Sequence, residues 1–381
     1  MNKLCIKISN KLVDNCIAFA IAIQSPLILL QQVLIDILGM NAEETTKYRV
    51  LLTAMPMSLA IILGFNRNKK LFVYTYFFIF ILLLYNIVLF PQNQEFLFSE
   101  VIRFTLPVVI PSCLCFLCLS NIYIFEKVLY YVSWLTFVMA VYYVLNLIGG
   151  KVMFGGYNMS FSYGLLLPMM ALYSHKTRYS VFASLLLLLF VIALGSRGAA
   201  VAFFLYIILD IFLFNKKYVP LIIAIIIFAI SLIPLFLNYL DDIGISSRTL
   251  MLLLNGDFEH DSGRSEVYEL VIIPLMENPL MGLGLWGDRY YIDGSYCHNI
   301  ILEICLNFGL ILGPLLILYF VIQFLVIYYH LYKEYRMLLL KYLLACILPL
   351  LFSNSYLISP NFGIFIGIFM SIRMTLVERK I

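Results

Sequence analysis

Apolar runs long enough to cross a membrane recur along this chain, near residues 15–38, 48–65, 71–90, 101–120, 127–148, 158–174, 179–195, 198–213, 219–240, 298–330, 338–357 and 361–374. A crossing helix needs about 20 mostly apolar residues. In lipid the backbone must satisfy its own polar groups, so each run is expected to be helical. Composition agrees: 63% of the 381 residues are hydrophobic and 12% are charged, where a soluble domain carries roughly a quarter charged residues. The expectation is an all-α polytopic membrane protein of about twelve spans, one integral membrane domain over 1–381 without an internal repeat.

The connecting segments carry signs that alternate. The tail with Lys3, Lys7 and Lys11 is basic, and no small-residue cleavage site follows it. It reads as a cytosolic tail rather than a removed signal. "GMNAEETTKY" and "PQNQEFLFSE" are acidic, whereas "NRNKK", "SHKTR", "NKK", "HLYKEYR" and "RMTLVERK" are basic; "NIYIFEK" is weak. The positive-inside rule then places both termini in the cytoplasm. The net charge of +4 is spent on these short clusters, and nothing in it asks for nucleic acid. On this topology the loop 241–297 lies outside, with ten acidic residues and three arginines, Arg248, Arg264 and Arg289. The turn "LGSRGA" lies outside too, at a face where topology does not ask for Arg197.

A few polar residues can carry chemistry. Arg197 has Gly195, Ser196 and Gly198 beside it and stands at the start of an apolar run. One reading is an arginine snorkelling to headgroups. The other is an anion clamp, with glycines admitting a ligand to the backbone and a helix N-terminus adding free N–H groups. Arg264, Ser265 and Glu266 open a stretch with Val267, Leu270, Val271, Pro274 and Leu275 on one side, a short amphipathic helix limited by Pro274 and Pro279. Arg264 is either half of a surface salt bridge or a second anion group. His298 stands at the rim of the tenth run, where a histidine can take a proton from a hydroxyl. Asn299, Glu303 and Asn307 recur at i, i+4 and i+8 and share a helix face. They serve either interhelical hydrogen bonds or a wet cavity.

Two other motifs are set aside. "CLCFLC" (Cys113, Cys115, Cys118) reads as packing inside a span, since no histidine or second CxxC accompanies it. "NPLMGLGLWG" is a tight turn, not a nucleotide fingerprint. No Asp-x-Asp pair or histidine cluster offers a metal site, so neither metal nor cofactor is expected. Two or three arginines with one histidine suit a diphosphate substrate and an acceptor hydroxyl. The arginines would neutralise charge as a metal does elsewhere.

In order, "GSRGA", "SSRT", "SGRSEVYELVIIPLMENPLMGLGLWG" and "HNIILEICLNFGLILG" resemble the O-antigen ligase and Wzy-type polysaccharide polymerase superfamily over residues 190–315. The resemblance implies glycosyl transfer from a polyprenyl-diphosphate-linked oligosaccharide at the outer face of the bacterial cytoplasmic membrane. It implies that Arg197 and Arg264 hold the diphosphate and that His298 activates the acceptor hydroxyl or assists at the reacting centre. Arg248 matches a less constant position, as a substrate contact. Asn299, Glu303 and Ser265 are expected beside them. Within the superfamily a polymerase of repeat units is favoured over a ligase, with a chain-length regulator as a partner. The competing class is a flippase for lipid-linked oligosaccharides. Against it, a transporter places its charges near the midplane between related halves.

Overall fold

The computed structural model describes residues 9–149, 159–193, 197–214, 216–218, 220 and 264–378. Among these residues it is all helical, without a strand. Among the described residues six helices are long and apolar enough to cross a membrane: Asn10–Asp36, Ala42–Arg67, Lys69–Leu89, Pro91–Leu117, Ile122–Ile148 and Ile300–His330. Arg178–Ala193, Gly198–Phe214 and Pro360–Leu376 are apolar but shorter. The run 219–240, Arg248 and the loop up to residue 263 lie outside the described residues, apart from residue 220.

Four helix starts are legible in chemical terms. Asn41, Asn68, Asn121 and Asn299 each cap a helix by accepting from a backbone N–H of its first turn. One apolar run behaves differently from expectation. Residues 338–357 do not form one span. The helix Lys333–Tyr342 passes into a π turn at Leu343–Ile347 and a 3-10 turn at Leu348–Leu351, and helix stops there. Pro349 has no N–H to offer the ladder, and the polar "SNS" that follows favours turns.

The helices carry polar clusters at opposite ends. At one end Arg67 pairs with Asp14, which also accepts from Ser120. Lys176 pairs with Asp210, and Lys341 with Glu126. At the other end of these same bundles lie Asn86, Glu100, Glu303 and Ser355. Asp210 thereby orients the helix Arg197–Phe214. Arg197 is thirteen residues earlier, about 20 Å along the axis, so it stands at the Glu303 end.

The helix Ile300–His330 is broken at Gly309, whose φ of 80° and ψ of 173° are not helical. A helix would bond the Leu310 N–H to the Leu306 carbonyl. Instead the Leu306 carbonyl accepts from Leu283 N–H at 2.6 Å, and Leu310 N–H donates to the Pro279 carbonyl at 2.7 Å. The turn 278–286 thus supplies what the break removes. It needs left-handed glycines: Gly282 has φ 71° and lies against Leu306 and Gly309. From Leu310 the helix continues for 21 residues, about 31 Å, which by itself matches the hydrocarbon thickness of about 30 Å.

A Cβ at Gly309 would overlap the Leu280 carbonyl, whereas Gly39, at φ 66°, has nothing within 4 Å of the same position. Gly309→Ala should therefore lower the melting temperature of the detergent-solubilised protein clearly, by the equivalent of roughly 1–3 kcal/mol of strain plus the overlap. Gly39→Ala should cost the backbone strain alone. Equal losses in a thermal dispersity assay would contradict the role given to the break.

Candidate functional site

The turn 278–286 leads into the short helix Gly287–Tyr291. Trp286, at φ 61°, is buried against Leu97, Val101 and Leu357. Asn86 accepts from Leu285 N–H at 2.7 Å, and Asn93 donates to the Leu283 carbonyl at 2.8 Å. These contacts fix the next residues, Asp288 and Arg289, both with no solvent exposure.

Arg289 is the centre of this region. Its Nη1 donates to Asp288 Oδ1 at 2.6 Å and to Glu303 Oε1 at 2.8 Å. Its Nη2 donates to Ser355 Oγ at 2.8 Å and lies 3.5 Å from Glu100 Oε2. Ser355 in turn donates to Glu303 and accepts from Leu357 N–H, using its single donor and both lone pairs. Glu303 Oε2 accepts from Tyr356 N–H at 3.3 Å, and Asn307 donates to the Tyr356 hydroxyl at 2.7 Å. Burial works against the charge on Arg289, but Asp288, Glu303 and Glu100 overcome it and hold the guanidinium above its ordinary pKa. One cation thus joins three carboxylates drawn from three parts of the chain.

His298 sits at the edge of this cluster. Asp288 Oδ2 accepts from Cys297 N–H at 3.2 Å on one side. Asn299 on the other caps the next helix, accepting from Ile301 N–H at 3.0 Å and Leu302 N–H at 3.3 Å. Between these anchors His298 has φ 57°, in the left-handed region. Its ring is half-buried against the edge of Tyr296, with centroids 4.5 Å apart, and Nδ1 is buried without a hydrogen-bond partner. Burial lowers its pKa, and the charges of Arg264 and Arg289 lower it further.

Arg264 opens the helix Arg264–Glu277, with Ser265 exposed beside it. The helix runs through Pro274 and ends before Pro279, so only the second proline limits it. Val271 and Leu275 are buried with Leu283, Ile292, Cys297 and Leu306 in a small core. That core brings the first turn of the helix within electrostatic reach of His298. Arg197 belongs to the helix Arg197–Phe214, and residues 194–196 before it lie outside the described residues.

The family comparison bears on this same stretch. Residues 182–318 match the family model described as O-antigen ligase. The match covers just over a third of the chain and is consistent with the O-antigen ligase and Wzy superfamily. No curated protein and no solved structure matches. The matched segment contains Arg197, Arg248, Arg264, Ser265, Arg289, His298, Asn299 and Glu303. Glu100 and Ser355, which complete the cage around Arg289, lie outside it.

The structure brings Arg264 within electrostatic reach of His298, which Asn299 follows in the chain. It engages Glu303 with Arg289, Ser355 and the Tyr356 backbone, which is the interhelical role weighed for its helix face. Asn299 is engaged as a cap. Arg289 and Asp288 are the residues that sequence reasoning passed over. The signal available was Glu303 itself, a carboxylate in an apolar run that requires a cation.

Proposed function

We propose that the chain is a polymerase of lipid-linked oligosaccharide repeat units, for O-antigen, capsule or exopolysaccharide, at the outer face of a bacterial cytoplasmic membrane with both termini cytoplasmic. The observation that carries this reading is a half-buried His298 whose Nδ1 has no hydrogen-bond partner, within electrostatic reach of Arg264, inside the segment that matches the O-antigen ligase family model. The donor is a glycan on polyprenyl diphosphate, its tail in the bilayer. The acceptor hydroxyl attacks the anomeric carbon, and the bond from that carbon to the diphosphate oxygen breaks. The hydroxyl proton goes to His298. Arg197 and Arg264, with Arg248 as a further contact, take the charge that develops on the leaving diphosphate. The arginines fill the role of a metal. A chain-length regulator is a fitting partner.

The deletion strain tests the class of reaction. A polymerase leaves single lipid-linked units on the outer face. The ligase alternative, favoured by the family's description, leaves finished lipid-linked polymer instead. Units trapped on the inner face would replace both readings with a flippase.

A pH prediction follows from the lowered pKa of His298. A base must be neutral to accept a proton, so activity should be lost as pH falls through the folded pKa. That acid limb should lie below the ordinary histidine range near 6.5. Removing the cation in Arg264→Gln should move it upward. An acid limb unmoved in that variant would separate Arg264 from His298.

A further inference from the structure

We propose that Arg289 is the positioning residue for His298, acting through Asp288 and Tyr296; this rests on the role given to His298 above. Three observations carry it. The His298 backbone is held in a left-handed conformation, which costs energy in a non-glycine residue and persists only where its surroundings over-determine it. Those surroundings converge on Arg289. Asp288, bound to Arg289 Nη1, fixes the Cys297 N–H one residue before the histidine. The Arg289 guanidinium lies 5.9 Å from the centroid of the Tyr296 ring, and that ring packs edge-on to His298.

The second observation is the rigidity of the hub. Arg289 is fully buried and reaches Glu303 in the long helix, Ser355 in the segment after Leu351, and Glu100 in Pro91–Leu117. Its planar fork serves two carboxylates and a hydroxyl at once, which a point charge cannot do. The frame of two helices and the segment after Leu351 is thereby transmitted to a loop residue.

The third observation is what the frame leaves open. Among the described residues, buried side-chain atoms of Asn93, Arg289, His298 and Asn307 in this region lack a hydrogen-bond partner. A region that leaves polar groups unsatisfied does so under a functional constraint or with bound water. Here His298 Nδ1 is kept from any protein partner while its backbone is tied on both sides. The charged groups around the ring are Arg264 and Arg289, with Asp288, Glu303 and Glu100 behind Arg289.

The test uses the full chain in lipid nanodiscs, with Arg289→Lys and Tyr296→Leu. Two quantities are measured: the rate at which diethyl pyrocarbonate modifies His298 against pH, read by peptide mass spectrometry, and turnover of the lipid-linked repeat unit extracted from the deletion strain. The expected result is faster His298 modification in both variants, with kcat lowered by about 10²-fold, the scale of a small misplacement, and KM little changed. If Arg289→Lys fails to fold, Tyr296→Leu carries the test, because it leaves the ion cluster whole. Unchanged His298 reactivity in the folded variants, or a raised KM at constant kcat, overturns the proposal. Full activity in His298→Ala would instead overturn the site on which it rests, whatever the modification rates show.

Discussion

His298→Ala, expressed at wild-type membrane levels in the deletion strain, should abolish long glycan chains while single lipid-linked units accumulate. General base catalysis contributes about 10²–10⁴-fold, and a chain grown over many transfers amplifies any such loss. Arg264→Ala should give the same product pattern through a different cause. Removing one preorganised donor from a developing anion costs about 10²–10³-fold. The two variants differ in pH behaviour, since only Arg264→Ala leaves His298 to titrate. Gel electrophoresis of extracted glycan reads the outcome. Long chains at full yield in both variants would remove His298 and Arg264 from the chemistry.

The second large effect is on stability. Arg289→Leu leaves Asp288, Glu303 and Glu100 facing one another without a cation, two of them fully buried. Removing one partner of a buried ion pair costs about 3–5 kcal/mol, so the variant should unfold well below wild type in a thermal dispersity assay. Adding Glu303→Gln removes one of the stranded charges, and the double variant should be more stable than Arg289→Leu alone. Unaltered melting in Arg289→Leu would mean that the cluster contributes nothing to the fold.

The helices were legible where apolar runs are long and uninterrupted, as in 71–90 and 127–148, because hydropathy alone decides a span in lipid. The run 338–357 misled for the same reason. A window average does not register that Pro349 stops the ladder or that Ser353, Asn354 and Ser355 turn the chain. His298 and Arg264 were legible only as candidates, because a few basic groups stand out in a stretch that is otherwise acidic. The partners of Arg289 were not readable. Ser355 and Glu100 lie 66 and 189 residues from it, and a buried arginine in a loop has the same letter as a solvated one. Glu303 showed only half of its meaning: a carboxylate in a span announces that a cation exists without saying which one.

The bond exchange around Gly309 bears on how a bulky substrate could reach the site. The turn 278–286 holds one backbone bond of the long helix on each side of the break. Swinging that turn away would strand the Leu306 carbonyl and the Leu310 N–H near the membrane boundary, each at roughly 1–3 kcal/mol. The turn is therefore a wall of the site and not a door. On the function proposed above, a growing glycan would pass along this wall rather than through it.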